Sequence, residues 1–119
     1  MTTPNLILTD NITGNTVFHI ASSSTPTNVL SNGSASGSIY KLNTITAANP
    51  NIVNVPITVE VTRSGTAYYL AANVTVPSNS TLVVQAKDTA IYLMEGDTLR
   101  CNTAGTDACH FTISYEVIA

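Results

Sequence analysis

Three carboxylates, Asp88, Glu95 and Asp97, stand close together in "KDTAIYLMEGDTLR" (87–100), with Lys87 and Arg100 at the edges of the stretch. Two carboxylates that flank a groove can serve as the acid and the nucleophile or base of a glycosidase. Carboxylates at alternate positions around a glycine can ligate calcium. Neither pattern is complete here. A glycosidase groove usually offers aromatic platforms to sugar rings, and the chain has no Trp and is only 6% aromatic. "EGD" alone does not space ligands as a calcium loop does. The remaining reading is turn chemistry: Asp88 caps one turn, and Glu95-Gly96-Asp97 makes the next, with glycine supplying a positive φ.

The other reactive side chains are few. His19 and His110 both lie within alternating, strand-like stretches and in no metal-ligand spacing. No nucleophile elbow marks a serine, and there is no Gly-rich phosphate loop and no CxxC. No catalytic residue, metal ligand or cofactor is therefore expected. Cys101 and Cys109 end and begin two strand-like runs across "NTAGTDA". A hairpin with that loop would set them side by side, as a disulfide or as two buried, reduced thiols.

The elements that must position these residues alternate with period two. In "VNVPITVEVT" (53–62), Val53, Val55, Ile57, Val59 and Val61 share one face, and Asn54, Pro56, Thr58, Glu60 and Thr62 share the other, which should be wet. Pro56 lacks a ladder donor, so that strand should lie at an edge or be paired on one side near it. Further runs at 5–9, 15–21, 27–31, 38–48, 66–76, 80–86, 90–94, 97–101 and 109–119 bring the total to eight to ten short strands, separated by turn residues such as "RSG", "PSN" and "EGD". In the 66–76 run Tyr68, Leu70, Ala72, Val74 and Val76 are in phase. The fold class that follows is all-β: a single antiparallel β-sandwich, jelly-roll-like or barrel-like. Its core should hold Val55, Ile57, Val59, Val83, Ile91, Leu93, Phe111 and Ile113. The Ser/Asn/Gly-rich stretch 22–37 divides the chain into an N-terminal arm or peripheral strands (1–37) and a sandwich domain (38–119).

Composition narrows the function. Of 119 residues only 9% are charged, about a third are Ser, Thr or Asn, and the net charge is −3. An average globular protein has roughly 25% charged residues. The four basic residues, Lys41, Arg63, Lys87 and Arg100, form no cluster, so a nucleic-acid partner is not expected. No apolar run approaches the ~20 residues that span a bilayer, so no membrane partner is expected. The N-terminal residues lack the pattern of a signal peptide, and cytoplasmic synthesis is the expectation.

Three segments, "SGSIYKLNTI" (36–45), "YYLAANVTVPSNSTLVVQAKDTAIYLMEGDTLR" (68–100) and "FTISYEVIA" (111–119), resemble small virion structural proteins of tailed bacteriophages, especially those infecting cyanobacteria. The resemblance spans roughly residues 30–119. Met94 stands where an acidic residue is frequent in that pattern, and the Cys101–Cys109 pair is not part of it. The resemblance implies a non-enzymatic component located in the virion. Its most natural role is a capsid cement or decoration protein, a homo-oligomer and most often a trimer, contacting the major capsid protein or other virion proteins. A neck or tail component, or a receptor- or glycan-binding module using Tyr40, Tyr68, Tyr69, Tyr92 and Tyr115, is the alternative. Ordering the N-terminal strands against a neighbour would bury Leu6, Ile7, Leu8, Val17, Phe18 and Ile20, which are the candidate interface residues.

Overall fold

The computed structural model describes residues 11–119 as nine strands: β1 (Ile12–Ala21), β2 (Thr27–Ser31), β3 (Ile39–Asn49), β4 (Val55–Arg63), β5 (Thr66–Val76), β6 (Ser80–Gln85), β7 (Ile91–Leu93), β8 (Thr98–Thr103) and β9 (Cys109–Ile118). They form two antiparallel sheets packed face to face. One has the order β1-β9-β3-β6, with β7 also paired to β3; the other is β2-β8-β4-β5. This is the all-β sandwich that the alternation calls for. Among the described residues only β4 and β5 form a hairpin between consecutive strands, and most other connections carry the chain from one sheet to the other. The β4–β5 turn is Ser64-Gly65, with φ of 53° and 79°, the pair of positive values that a tight hairpin between Arg63 and Thr66 requires.

The core lies between the sheets. Val55, Ile57, Val59, Leu93, Phe111 and Ile113 are buried in it, together with Leu42, Ile45, Val76 and Leu99, and Ile91 packs against it half-buried. Val83 is the exception among the expected core residues, being 59% exposed. β6 turns its other face inward, and Leu82 and Val84 touch the core instead. A register shift in the β3–β6 ladder lies beside Val84, so strict alternation fails there.

Two further departures have the same origin. β5 carries two register shifts against β4, and Asn73, at φ 50°, donates its N–H to Thr58 Oγ1 at 3.1 Å. As a result Tyr68, Ala72 and Val74 are exposed, whereas Leu70 and Ala71 are half-buried and Val76 is fully buried. The face of β4 that was expected to be wet is largely covered: Thr58 and Glu60 are buried. β4 is a central strand, flanked by β8 and β5, and Val53 precedes it and is exposed. At Pro56 the ladder runs only to β5, since pairing with β8 begins at Ile57; the Pro56 carbonyl accepts the Ala104 N–H at 3.0 Å.

Residues 12–31 do not stand apart as an arm. β1 lies along β9 without a register shift from Ile12↔Ile118 to Ala21↔Cys109, and β2 lies along β8. Ala21 and Leu30 belong to the same core as the later strands. β1 also takes in residues 12–14, within the "DNITG" that separated two expected strands. The expected strand at 5–9 lies outside the described residues.

Three buried amides close the connections: Asn32 and Asn49 where the chain changes sheet, and Gln85 where β6 gives way to β7 within one sheet. Asn49 Nδ2 donates to the carbonyls of Val53 and Val76 at 2.8 and 3.0 Å, and its Oδ1 accepts from the N–H and side chain of Asn51. Asn32 Nδ2 donates to the Ser38 and Leu93 carbonyls, both at 2.9 Å. Gln85 Nε2 donates to the Leu42 carbonyl at 2.7 Å. An unpaired buried carbonyl is expensive, so each amide removes a penalty that apolar packing cannot.

Chemical denaturation should separate the two β-faces clearly. Ile57→Ala leaves a cavity in the core and should lose about 2–5 kcal/mol, whereas Val83→Ala should change stability by less than about 0.5 kcal/mol. Equal losses would contradict the assigned facing of β6.

Candidate interaction surfaces

The acidic cluster resolves into protein-internal contacts. Arg63 is the last residue of β4, and its guanidinium reaches the turn that joins β7 to β8. Nε and Nη2 meet the two Asp97 oxygens at 2.8 and 2.6 Å. Asp97 Oδ2 also accepts the Met94 N–H at 2.8 Å, and Gly96, at φ 89°, lets the turn close so that the Asp97 N–H reaches the Met94 carbonyl. The Asp97 side chain is 1% exposed and that of Arg63 is 55% exposed. Glu95 Oε2 accepts the Gly37 N–H at 2.9 Å. Asp88 lies inside a short 3-10 turn, Lys87–Thr89, whose N-cap is Ala86 with no side-chain cap, so Asp88 does not cap the turn as expected. Asp97 thus ties β4, β7 and β8 together. Among the described residues no three His, Cys, Asp or Glu side chains converge as a metal site would need.

Burial pushes the Asp97 carboxyl up, but the Arg63 hydrogen bonds, the Met94 N–H and the Arg63 charge outweigh it and hold the group below its ordinary value. A second ion pair, Arg100 Nη2 to Glu60 Oε2 at 2.6 Å, covers the outer face of β4 and explains the buried Glu60. Lys41 and Glu116 are 3.9 Å apart and a third exposed, a weak surface pair.

Cys101 and Cys109 are both free and buried. The expected hairpin is absent because β8 and β9 belong to different sheets: Cys101 pairs with Val59 and Thr27, and Cys109 with Ala21. The "NTAGTDA" loop crosses the sandwich instead of reversing within a sheet. Burial pushes the Cys101 thiol up to about 12, with the Glu60 charge adding to it, and burial with Asp107 raises that of Cys109. Both thiols are therefore poor nucleophiles.

The tyrosines divide into two groups. Tyr40 and Tyr115 stack on each other, with ring centroids 5.5 Å apart, and pack against the core. Tyr68, Tyr69 and Tyr92 are exposed. Tyr68 and Tyr92 line a groove of about 410 Å³ with Val61, Arg63, Leu70 and Ile91, beside the Arg63–Asp97 pair.

Of the candidate interface residues, Val17 faces inward and is half-buried against the core, so it is not available to a neighbour. Phe18 and Ile20, on the opposite face of β1, are 75% and 60% exposed. Leu6, Ile7 and Leu8 lie outside the described residues. The feature that sequence reading missed is the distribution of charge. The strands at the sheet margins, β1, β2, β5, β6 and β7, contain no Asp, Glu, Lys or Arg. Among the described residues every charge sits on a central strand (β3, β4, β8, β9) or on a turn. The strand order was needed to see this.

No helix among the described residues is long and apolar enough to cross a membrane. No protein-family model and no curated protein matches the chain.

The Arg63–Asp97 link generates a pH prediction. Because the folded-state pKa of Asp97 is depressed, its contribution is complete above the unfolded value of about 3.9 and is lost as pH falls through the lower folded value. Asp97→Asn should lower stability by about 1.5–3 kcal/mol at pH 7, more than a simple turn residue would, and the difference from wild type should shrink below about pH 4. A difference that stays constant from pH 7 to pH 2.5 would contradict the assignment.

Proposed function

We propose that the chain is a non-enzymatic structural protein of a tailed-phage virion, a cement or decoration protein that strengthens contacts between major capsid subunits. One observation supports a binding role more than any other: the uncharged sheet margins. Edge strands present unpaired N–H and C=O groups, and natural proteins usually blunt them with Lys, Pro or bulges to stop unwanted pairing. Here charge is withheld from the margins and placed at the middle of the sheets.

The margins also lie on opposite sides. β1 packs over β2, and β5 packs beside β6, so the β1 and β5 edges point away from one another. Each carries exposed apolar groups: Phe18 and Ile20 on one, Tyr68 and Tyr69 on the other. A rigid sandwich with two such edges is suited to bridging two neighbours. The attraction would come from main-chain hydrogen bonds and apolar burial, and so would be insensitive to salt. The phage resemblance supplies the setting, and the low overall charge agrees with it. The groove between Tyr68 and Tyr92 favours a second reading, a receptor- or glycan-binding virion module, since tyrosine rings can stack on sugar faces.

Antibody against the chain, applied to purified particles of the phage that encodes it, should decorate the head shell in regular array. Decoration confined to neck or tail would remove the cement role. Failure to detect the chain in purified particles by mass spectrometry would remove the virion reading altogether.

A further inference from the structure

We infer that β1 pairs with β1 of a second copy about a two-fold axis at Thr16, joining the two β1-containing sheets into one. This stands independently of the virion setting. It replaces the trimer that the phage resemblance implies with a two-fold pair.

The direction of the backbone groups is fixed by the neighbour already present. Asn11 and Ala119 exchange both of their backbone hydrogen bonds, at 3.1 and 3.0 Å. The β1–β9 register continues from there without a shift. In an antiparallel ladder the bonded pairs alternate. The odd-numbered residues of β1 therefore direct N–H and C=O toward β9. Ile12, Gly14, Thr16, Phe18 and Ile20 direct theirs to the opposite edge, where no strand lies among the described residues. The same residues carry their side chains on the outer face, and Ile12, Phe18 and Ile20 are exposed there.

A second β1 laid antiparallel about Thr16 satisfies all of these groups at once. Ile12 faces Ile20 of the other copy, Gly14 faces Phe18, and Thr16 faces itself. Every outward N–H then meets an outward C=O. All partners lie on the same face, as cross-strand neighbours must. No charge opposes the approach, since β1 has none. Of the sheet margins, β1 is also the most regular. The ladders of β2, β5 and β6 each contain a register shift, and β7 is only three residues long.

Gly14 is what selects a second copy of this chain as the occupant. A glycine within a strand weakens it and often marks close approach of another group. Among the described residues Gly14 has no such reason. A Cβ placed there would meet no described residue within 4 Å, and its φ is not in the positive range that demands glycine. In the two-fold pair the missing side chain leaves room for the Phe18 ring of the other copy, which lies across it and shields the bare backbone.

The test uses the full chain. Light scattering should report twice the 12.5 kDa chain mass, and Thr16→Lys, which sets two ammonium groups opposite each other, should raise the dissociation constant at least about tenfold. Thr16→Cys should form an intermolecular disulfide under mild oxidation, because opposed residues of a bonded pair have Cα atoms about 5.5 Å apart, within disulfide range. Ile20→Cys, whose partner would be Ile12, should not. The disulfide test stands even if the lysine variant folds poorly. A monomer at all concentrations, a trimer, a dimer indifferent to Thr16→Lys, or equal cross-linking at positions 16 and 20 would each overturn the proposal.

Discussion

A chain that passes repeatedly between two sheets leaves backbone groups unpaired where its strands end, and in this protein several of those groups, at crossings and at the β6–β7 connection, are closed by buried side chains. Asn32, Asn49 and Gln85 supply amides that donate to carbonyls from distant elements. Asp97 supplies a carboxylate that accepts from the Met94 N–H and from Arg63. An amide can donate and accept without the desolvation cost of a charge, which suits a chain with only 9% charged residues. The high Asn content is thus in part structural: it stands in for the ladders that a meander of hairpins would have provided.

The remaining charges are placed where they brace the sheets. Arg100 and Glu60 cross-link β8 and β4 on an outer face, and Arg63 joins β4 to the β7–β8 turn. With charge drawn to the middle of the sheets, the margins are left apolar and polar-neutral. The same economy of charge therefore shapes both the interior and the surface. It gives a sandwich whose edges lack the usual electrostatic protection against pairing, and the proposed roles, bridging of neighbours and self-pairing through β1, both follow from that property.

Much of this architecture is legible in the residues. Alternation locates most of the strands, and it identifies Ile57, Val59, Phe111 and Ile113 as core because nothing interrupts the period at those residues. It fails at Val83 and across Tyr68–Val74, where register shifts displace the faces, and a bulge leaves no clear mark in the order of apolar and polar residues. Cys101 and Cys109 show a different limit. Two strands separated by a short loop look like a hairpin, yet the loop carries the chain to the opposite sheet, and only the tertiary pairing distinguishes the two. Turn chemistry was the right reading for Glu95 and Asp97, but the partner of Asp97, Arg63, is 34 residues away in sequence and no local pattern joins them. The even-residue edge of β1 depends on strand order in the same way.

The outward amides of β1 report most directly whether that edge is covered by a second copy. Residue-resolved hydrogen exchange on the intact protein reads them one by one, at high concentration and after dilution. The odd-numbered amides, bonded to β9, should be slow in both conditions. Those of Gly14, Thr16 and Phe18 should be slow at high concentration and should speed up together on dilution, as an edge that is covered by a partner and then released. If they exchange at the rate of open loops at every concentration, the edge is bare and β1 does not pair with a second copy.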